Sequence, residues 1–148
     1  MDLTLFKKIC HEICDTENYR KMKNYCAHGN ISVYAHSINV AFIAYRHVIK
    51  HNVKCDVDSL IKGALLHDYY LYDWHLNHKF YFHGLRHPFT AYKNAERDYI
   101  INKKVRNIIR SHMFPLLFFM LPLSKEAWIV SMSDKKASIR EMKKGKKK

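Results

Sequence analysis

The stretch "SLIKGALLHDYYLYDWH", residues 59–75, sets the fold. It begins as one face of a helix. Leu60 and Ala64 stand four apart, Ile61 and Leu65 repeat the spacing, and positions separated by three, four and seven share a side of an α-helix. Carried onward, the first row reaches His67 and the second reaches Asp68. A stripe that should face a core thus ends on an imidazole and a carboxylate. Burying such a carboxylate without a partner costs on the order of several kcal/mol.

The same arrangement recurs elsewhere in the chain. His36 shares a face with Val40 and Ile43; Val105, Ile108 and Ile109 lead to His112; Ala127 and Val130 lead to Asp134. Four helices therefore aim a His or an Asp at a common interior. Two carboxylates among several imidazoles repel or neutralise one another unless a cation lies between them. Imidazole nitrogen mixed with carboxylate oxygen suits Fe, Mn, Co, Ni or Zn better than Mg, and the lack of thiolates in the set disfavours a structural zinc.

Composition agrees with a helical reading. A chain of 148 residues, 48% hydrophobic, suits one domain, and four glycines with three prolines leave few turns for a many-stranded sheet. The expectation is an all-α, compact bundle of six to seven helices: 3–14, about 16–26, a long helix capped by Ser32 and running to about Lys50, one from Asp56 or Asp58 through Leu66, one opened by Pro88 and running to about Ile101, one from about Lys103 to Met113, and a last one from Ser124. Residues 1–140 are expected to form a single domain, and 141–148, "EMKKGKKK", a flexible Lys-rich tail.

The 26 Lys and Arg against 13 Asp and Glu give a net charge of +13, which attracts phosphorylated small molecules, polyanions or acidic membrane surfaces without choosing among them. Cys10, Cys14, Cys26 and Cys55 form no CxxC pair, and no secretory signal is evident; reduced thiols and a cytoplasmic location are expected. The longest apolar run, "MFPLLFFMLPL" at 113–123, is too short for the roughly 20 residues of a membrane span, and reads as a buried connection or one wall of a pocket.

The order His36, adjacent His67 and Asp68, then distant Asp134, with its contexts "SVYAHSINVA", "GALLHDYYLYDWH", "HGLRHPFTAYKNA", "SHMFPL" and "IVSMSDKKAS", resembles the HD-domain superfamily of metal-dependent phosphohydrolases, specifically small stand-alone bacterial proteins of the HDIG type, over about residues 28–140. The resemblance implies that His36, His67, Asp68 and Asp134 hold one divalent transition metal. His87 and His112 would then hold a second, with Asp68 bridging. Iron or manganese is favoured, with Ni, Co or Zn as alternatives. It also implies hydrolysis of a phosphomonoester or phosphodiester, in a nucleotide or related small phosphorylated substrate, by a metal-activated hydroxide.

Around that set, His83 is placed to donate a proton to a leaving group; Arg86 and Lys135, each beside an expected ligand, either grip phosphate or stabilise the leaving group, or are solvated surface charge; His28 lines the pocket against substrate or supports a ligand, and Trp74 lines it. Tyr69, Tyr70 and Tyr72 either stack a base or cover the site. His47 and His51 lack the Glu of a zinc helix and read as cations at a helix end; Cys10 and Cys14 read as core. No GYP motif follows the His-Asp pair, which disfavours cyclic-dinucleotide hydrolysis. Two other classes remain open: a di-iron oxygenase of the same superfamily, and a metal-stabilised regulatory module whose tail meets nucleic acid.

Overall fold

The computed structural model describes residues 2–74 and 82–145. Within them the chain is mostly helical: α1 (Thr4–Cys14), α2 (Glu17–Arg20), a 3-10 turn (Lys21–Asn24), a hairpin of β1 (Cys26–His28) and β2 (Ile31–Ser32), then α3 (Val33–Lys50), α4 (Val57–Leu66), α5 (His83–Asp98), α6 (Lys103–Ser111) and α7 (Lys125–Gly145). The expected all-α architecture is observed, with seven α-helices and a two-stranded hairpin among the described residues.

The helix starts follow from side chains that accept the unpaired N–H groups of the first turn. Ser32 accepts from Ala35 N (3.2 Å), Asp56 from Ser59 N (3.0 Å), Asn102 from Val105 N (2.9 Å) and Ser124 from Ala127 N (3.2 Å). α4 is the centre of the bundle, packed against α1, α3, α6 and α7. Its Leu60, Ile61, Ala64, Leu65 and Leu66 are all buried. Gly63 lets α6 come close: a Cβ there would lie 2.6 Å from Ile108 Cδ1 and 2.9 Å from Ile108 Cβ. Buried Glu126 fastens the start of α7 to the start of α4, accepting from Asp56 N (2.6 Å) and Lys104 Nζ (3.1 Å).

Four sequence expectations need correction. The helix foreseen over 16–26 is only α2 followed by a 3-10 turn, because the chain must leave it to pair Cys26 with Ser32 and reverse at Gly29, whose φ of 58° lies in the left-handed region. Pro88 does not open α5, which begins at His83; it lies within the second turn and removes the donor for the Gly84 carbonyl. This end of α5 exposes Phe82, Leu85 and Arg86, so water has access to replace the lost bond.

The connection 113–123 is not buried. Leu117 is enclosed, but Leu116, Phe118, Phe119, Leu121 and Leu123 are exposed. Its backbone is irregular and its C-terminal end is held by Asn107, which donates from Nδ2 to the Leu121 carbonyl (2.9 Å) and accepts from Leu123 N (2.8 Å). An irregular backbone leaves polar groups that need solvent, and this keeps the segment at the surface.

Finally, α7 passes straight through the boundary expected at residue 140 and runs to Gly145, with Glu141 buried. Positions 134, 138 and 141 share one face of that helix, and this face is turned inward. Residues 146–148 of the expected tail lie outside the described residues.

Candidate metal centre

His36 comes from α3, His67 and Asp68 from the end of α4, His87 from α5, His112 from the end of α6 and Asp134 from α7. All six are buried. Asp68 stands between two groups. Its Oδ2 lies 3.4 Å from His67 Nε2 and 3.8 Å from His36 Nε2, while its Oδ1 lies 3.2 Å from His87 Nε2 and 3.5 Å from His112 Nε2. Asp134 Oδ1 completes the first group, 3.1 Å from His36 Nε2 and 3.8 Å from His67 Nε2. Three overlapping triplets in this cluster have donor atoms all within 4.8 Å of one another: His36, His67 and Asp68; His67, His112 and Asp134; Asp68, His87 and His112.

The outward nitrogens fix what the inward ones offer. His67 Nδ1 donates to the Ala64 carbonyl (2.7 Å), His112 Nδ1 to the Ile109 carbonyl (2.7 Å) and His87 Nδ1 to the His83 carbonyl (3.0 Å). Carbonyl oxygens only accept, so in each neutral ring Nδ1 carries the proton and Nε2 turns a lone pair into the cluster. His87 Nε2 and His112 Nε2 then meet lone pair to lone pair at 2.8 Å. His67 Nε2 and Asp68 Oδ1 are buried without a partner in hydrogen-bonding geometry, although both lie within ion-pair distance of other cluster atoms. Buried acceptors that converge on acceptors call for positive charge, and these residues fit a metal.

The titration behaviour has the same cause. Burial works against a charged His36, but hydrogen bonds to Asp134 and Glu141 outweigh it and lift the ring to about 10. His67 is also raised, burial being overcome by Asp68, and the Asp68 and Asp134 carboxyls are held low against the penalty of burial by the surrounding imidazoles. His112 moves the other way, lowered chiefly by burial.

Comparison with family models matches residues 33–138 to the HD domain. The chain belongs to the HD-domain family. HD domains are typically metal-dependent phosphohydrolases, and the buried His/Asp cluster fits the metal site of such a domain. Searches of the curated proteins and of the solved structures found no match.

The remaining residues singled out in the sequence sit at varied distances from the HD centre. His83 stacks on His87, ring centroids 4.7 Å apart, and its Nδ1 is 2.8 Å from the Tyr72 hydroxyl. Trp74 stacks on His83 at 4.9 Å and donates from Nε1 to the Cys26 carbonyl (2.9 Å), so it walls the centre through His83. His28 packs edge-on against His36 at 5.3 Å, with its Nε2 3.1 Å from Ser138 Oγ; burial and then His36 lower its pKa. Arg86 is exposed, 5.9 Å from the Phe82 ring centroid. Lys135 turns to the protein, donating to the His112 carbonyl (3.1 Å) and Ser131 Oγ (2.8 Å), and burial lowers its pKa. Tyr69 is fully buried and donates to Asp98 Oδ2 (2.8 Å), so it is core, whereas Tyr70 and Tyr72 pack around His83.

One residue of the HD centre was missed. Glu141 accepts from His36 Nδ1 (2.8 Å) and from Asn39 Nδ2 (2.8 Å), and these contacts lower its own pKa against burial. The signal was available: Glu141 stands seven residues after Asp134.

Proposed function

We propose that the chain is a metal-dependent phosphohydrolase acting on a nucleotide or a related small phosphoester. His36, His67, Asp68 and Asp134 would hold one divalent ion and Asp68, His87 and His112 a second; the mixed nitrogen and oxygen donors suit a transition metal, and the family resemblance favours iron or manganese. What carries this reading is the division of Asp68, each oxygen of which faces a different pair of imidazoles. A single-ion site has no use for both. When bound, such ions lower the pKa of water and offset charge on phosphoryl oxygens.

The chain's own groups do the rest. The carbonyls of Ala64, Ile109 and His83 hold three imidazoles in the tautomer that presents Nε2, and Glu141 does so for His36. His83, wired to the Tyr72 hydroxyl and stacked on His87, is the group placed to hand a proton to a departing alkoxide. Trp74, stacked on His83, and His28, beside His36, would bound the substrate. Arg86 remains available to a phosphate because it is exposed, and its field reaches the Tyr72 hydroxyl, whose pKa burial and Asp68 raise and Arg86 lowers. Lys135 is instead proposed to brace the His112 backbone, since its ammonium is already turned to that carbonyl.

The test is elemental analysis of the purified protein together with phosphate release from a panel of nucleotides and phosphoesters. Bound metal near two per chain with phosphate release supports the proposal. Oxygen consumption without phosphate release in an iron-loaded sample would replace it with the oxygenase reading, and full metal with neither activity would leave a regulatory module.

A further inference from the structure

The longest apolar run in the chain stands in the open. On the 113–123 connection Phe118 and Leu123 are 74% and 79% exposed, and Leu116, Phe119 and Leu121 are more than half exposed. Asn107 clamps the end of this segment, so the side chains are presented rather than trailing. A soluble monomer seldom shows so many large apolar groups together without a use for them.

The patch does not end there. Phe114 packs edge-on against Trp128, centroids 5.3 Å apart, and Trp128 with Met132 leads into a groove of about 980 Å³ between α3 and α7. Every charged side chain along that groove is basic, including Arg46, Lys50, Lys136, Arg140 and Lys143. The connection thus adjoins, through the Phe114–Trp128 contact, a trough whose charged groups are all cationic, and none of the six clustered His and Asp residues lines it.

We propose that this face docks the protein on the surface of an anionic phospholipid bilayer. Phenylalanines and leucines of the connection would enter the boundary between headgroups and acyl chains, while the groove's cations meet the headgroups. A second copy is disfavoured by charge, since it would set +13 against +13. Nucleic acid would satisfy the cations but not Leu116, Leu121 and Leu123, which offer no ring for a base to stack on. A bilayer supplies both the negative charge and the hydrocarbon. No helix among the described residues is long and apolar enough to cross it, so attachment would be from one side. The proposal does not depend on what the HD centre hydrolyses.

The test is flotation of the full chain with vesicles of phosphatidylcholine alone and of phosphatidylcholine mixed with phosphatidylserine. The wild type should float with the mixed vesicles only. Phe118→Ser and Phe119→Ser, at exposed positions that leave the core intact, should each weaken this by about tenfold. Lys136→Glu with Arg140→Glu should abolish the preference for the mixed vesicles. Circular dichroism should match the wild type in all variants. Wild type that fails to float, or serine variants that float as well as wild type, would overturn the proposal, the latter by reducing the effect to adsorption of a basic protein. A single-stranded oligonucleotide bound more tightly than the vesicles, and equally by the serine variants, would overturn it in favour of nucleic acid. An acidic amphipathic peptide bound in place of the vesicles would do so in favour of a protein partner.

Discussion

Replacing Glu141 with Ala, or ending the chain at Arg140, should damage a centre that lies far away in sequence. Glu141 is 7% exposed and its two oxygens receive two bonds, from His36 Nδ1 and Asn39 Nδ2, each 2.8 Å long. A hydrogen bond to a charged group contributes about 1.5–3 kcal/mol, and its removal also leaves a buried imidazole N–H without a partner. Losing both bonds should cost at least about 3 kcal/mol, a fall in Tm of at least roughly 6 °C for a domain of this size. Metal affinity should fall more selectively. A partner that orients an imidazole is worth about 10–100-fold in affinity, and the loss should be confined to the ion on the His36 side. Titration against a competing chelator, with one high-affinity and one weakened equivalent resolved, checks this. A chain ending at Gly145 should behave as wild type, and Glu141→Gln, which keeps acceptors but not charge, should fall between. Unchanged Tm and unchanged metal affinity in Glu141→Ala would refute the reasoning, because the 2.8 Å contact to His36 would then carry no energy.

Three other outcomes follow from the same geometry. Asp68→Ala should remove both equivalents of metal while His87→Ala or His112→Ala removes about one, as read by native mass spectrometry; full metal in the Asp68 variant would defeat the ligand assignment. Gly63→Ala should destabilise the fold by roughly 1–2 kcal/mol in urea, the crowding against Ile108 exceeding the gain of about 1 kcal/mol in helix propensity. In metal-free protein His36 has a pKa raised from 6.5 to about 10, so its share of stability is complete below pH 6.5 and is lost as pH rises toward 10. Tm of the chelated protein should therefore decline across that window, and His36→Asn should flatten the decline.

The central helices could be read from the sequence because their information is local. An apolar stripe that ends on His67, Asp68, His112 or Asp134 announces both the helix and its inward face, and helix caps such as Ser32 and Asn102 need only three residues to be recognised. Glu141 was hidden by its neighbours. Lysines on both sides make its segment look solvated and mask the seven-residue spacing from Asp134, which puts Glu141 on the inward face; that this face meets His36 is a tertiary fact, α7 lying along α3. Pro88 misled because the preference for a first turn is statistical, whereas the actual start of α5 was decided further back. The 113–123 segment misled for the opposite reason: hydrophobicity suggests burial, but an irregular backbone clamped by Asn107 has nowhere inside to place its polar groups. The proposed tail likewise ended where charge began rather than where packing ends.

Gly63 also sets a distance that matters beyond its own contact. It lies one turn before His67, and Ile108, which it admits, lies one turn before His112. The two imidazoles are therefore carried on helices whose separation is gauged at a position with no side chain, and their rings stand 4.9 Å apart. A methyl group inserted there would act as a shim, spreading the two helices just below the rings and widening the span between His67 and His112. The spacing of the two imidazoles is thus set by an absence, one turn away from either ring.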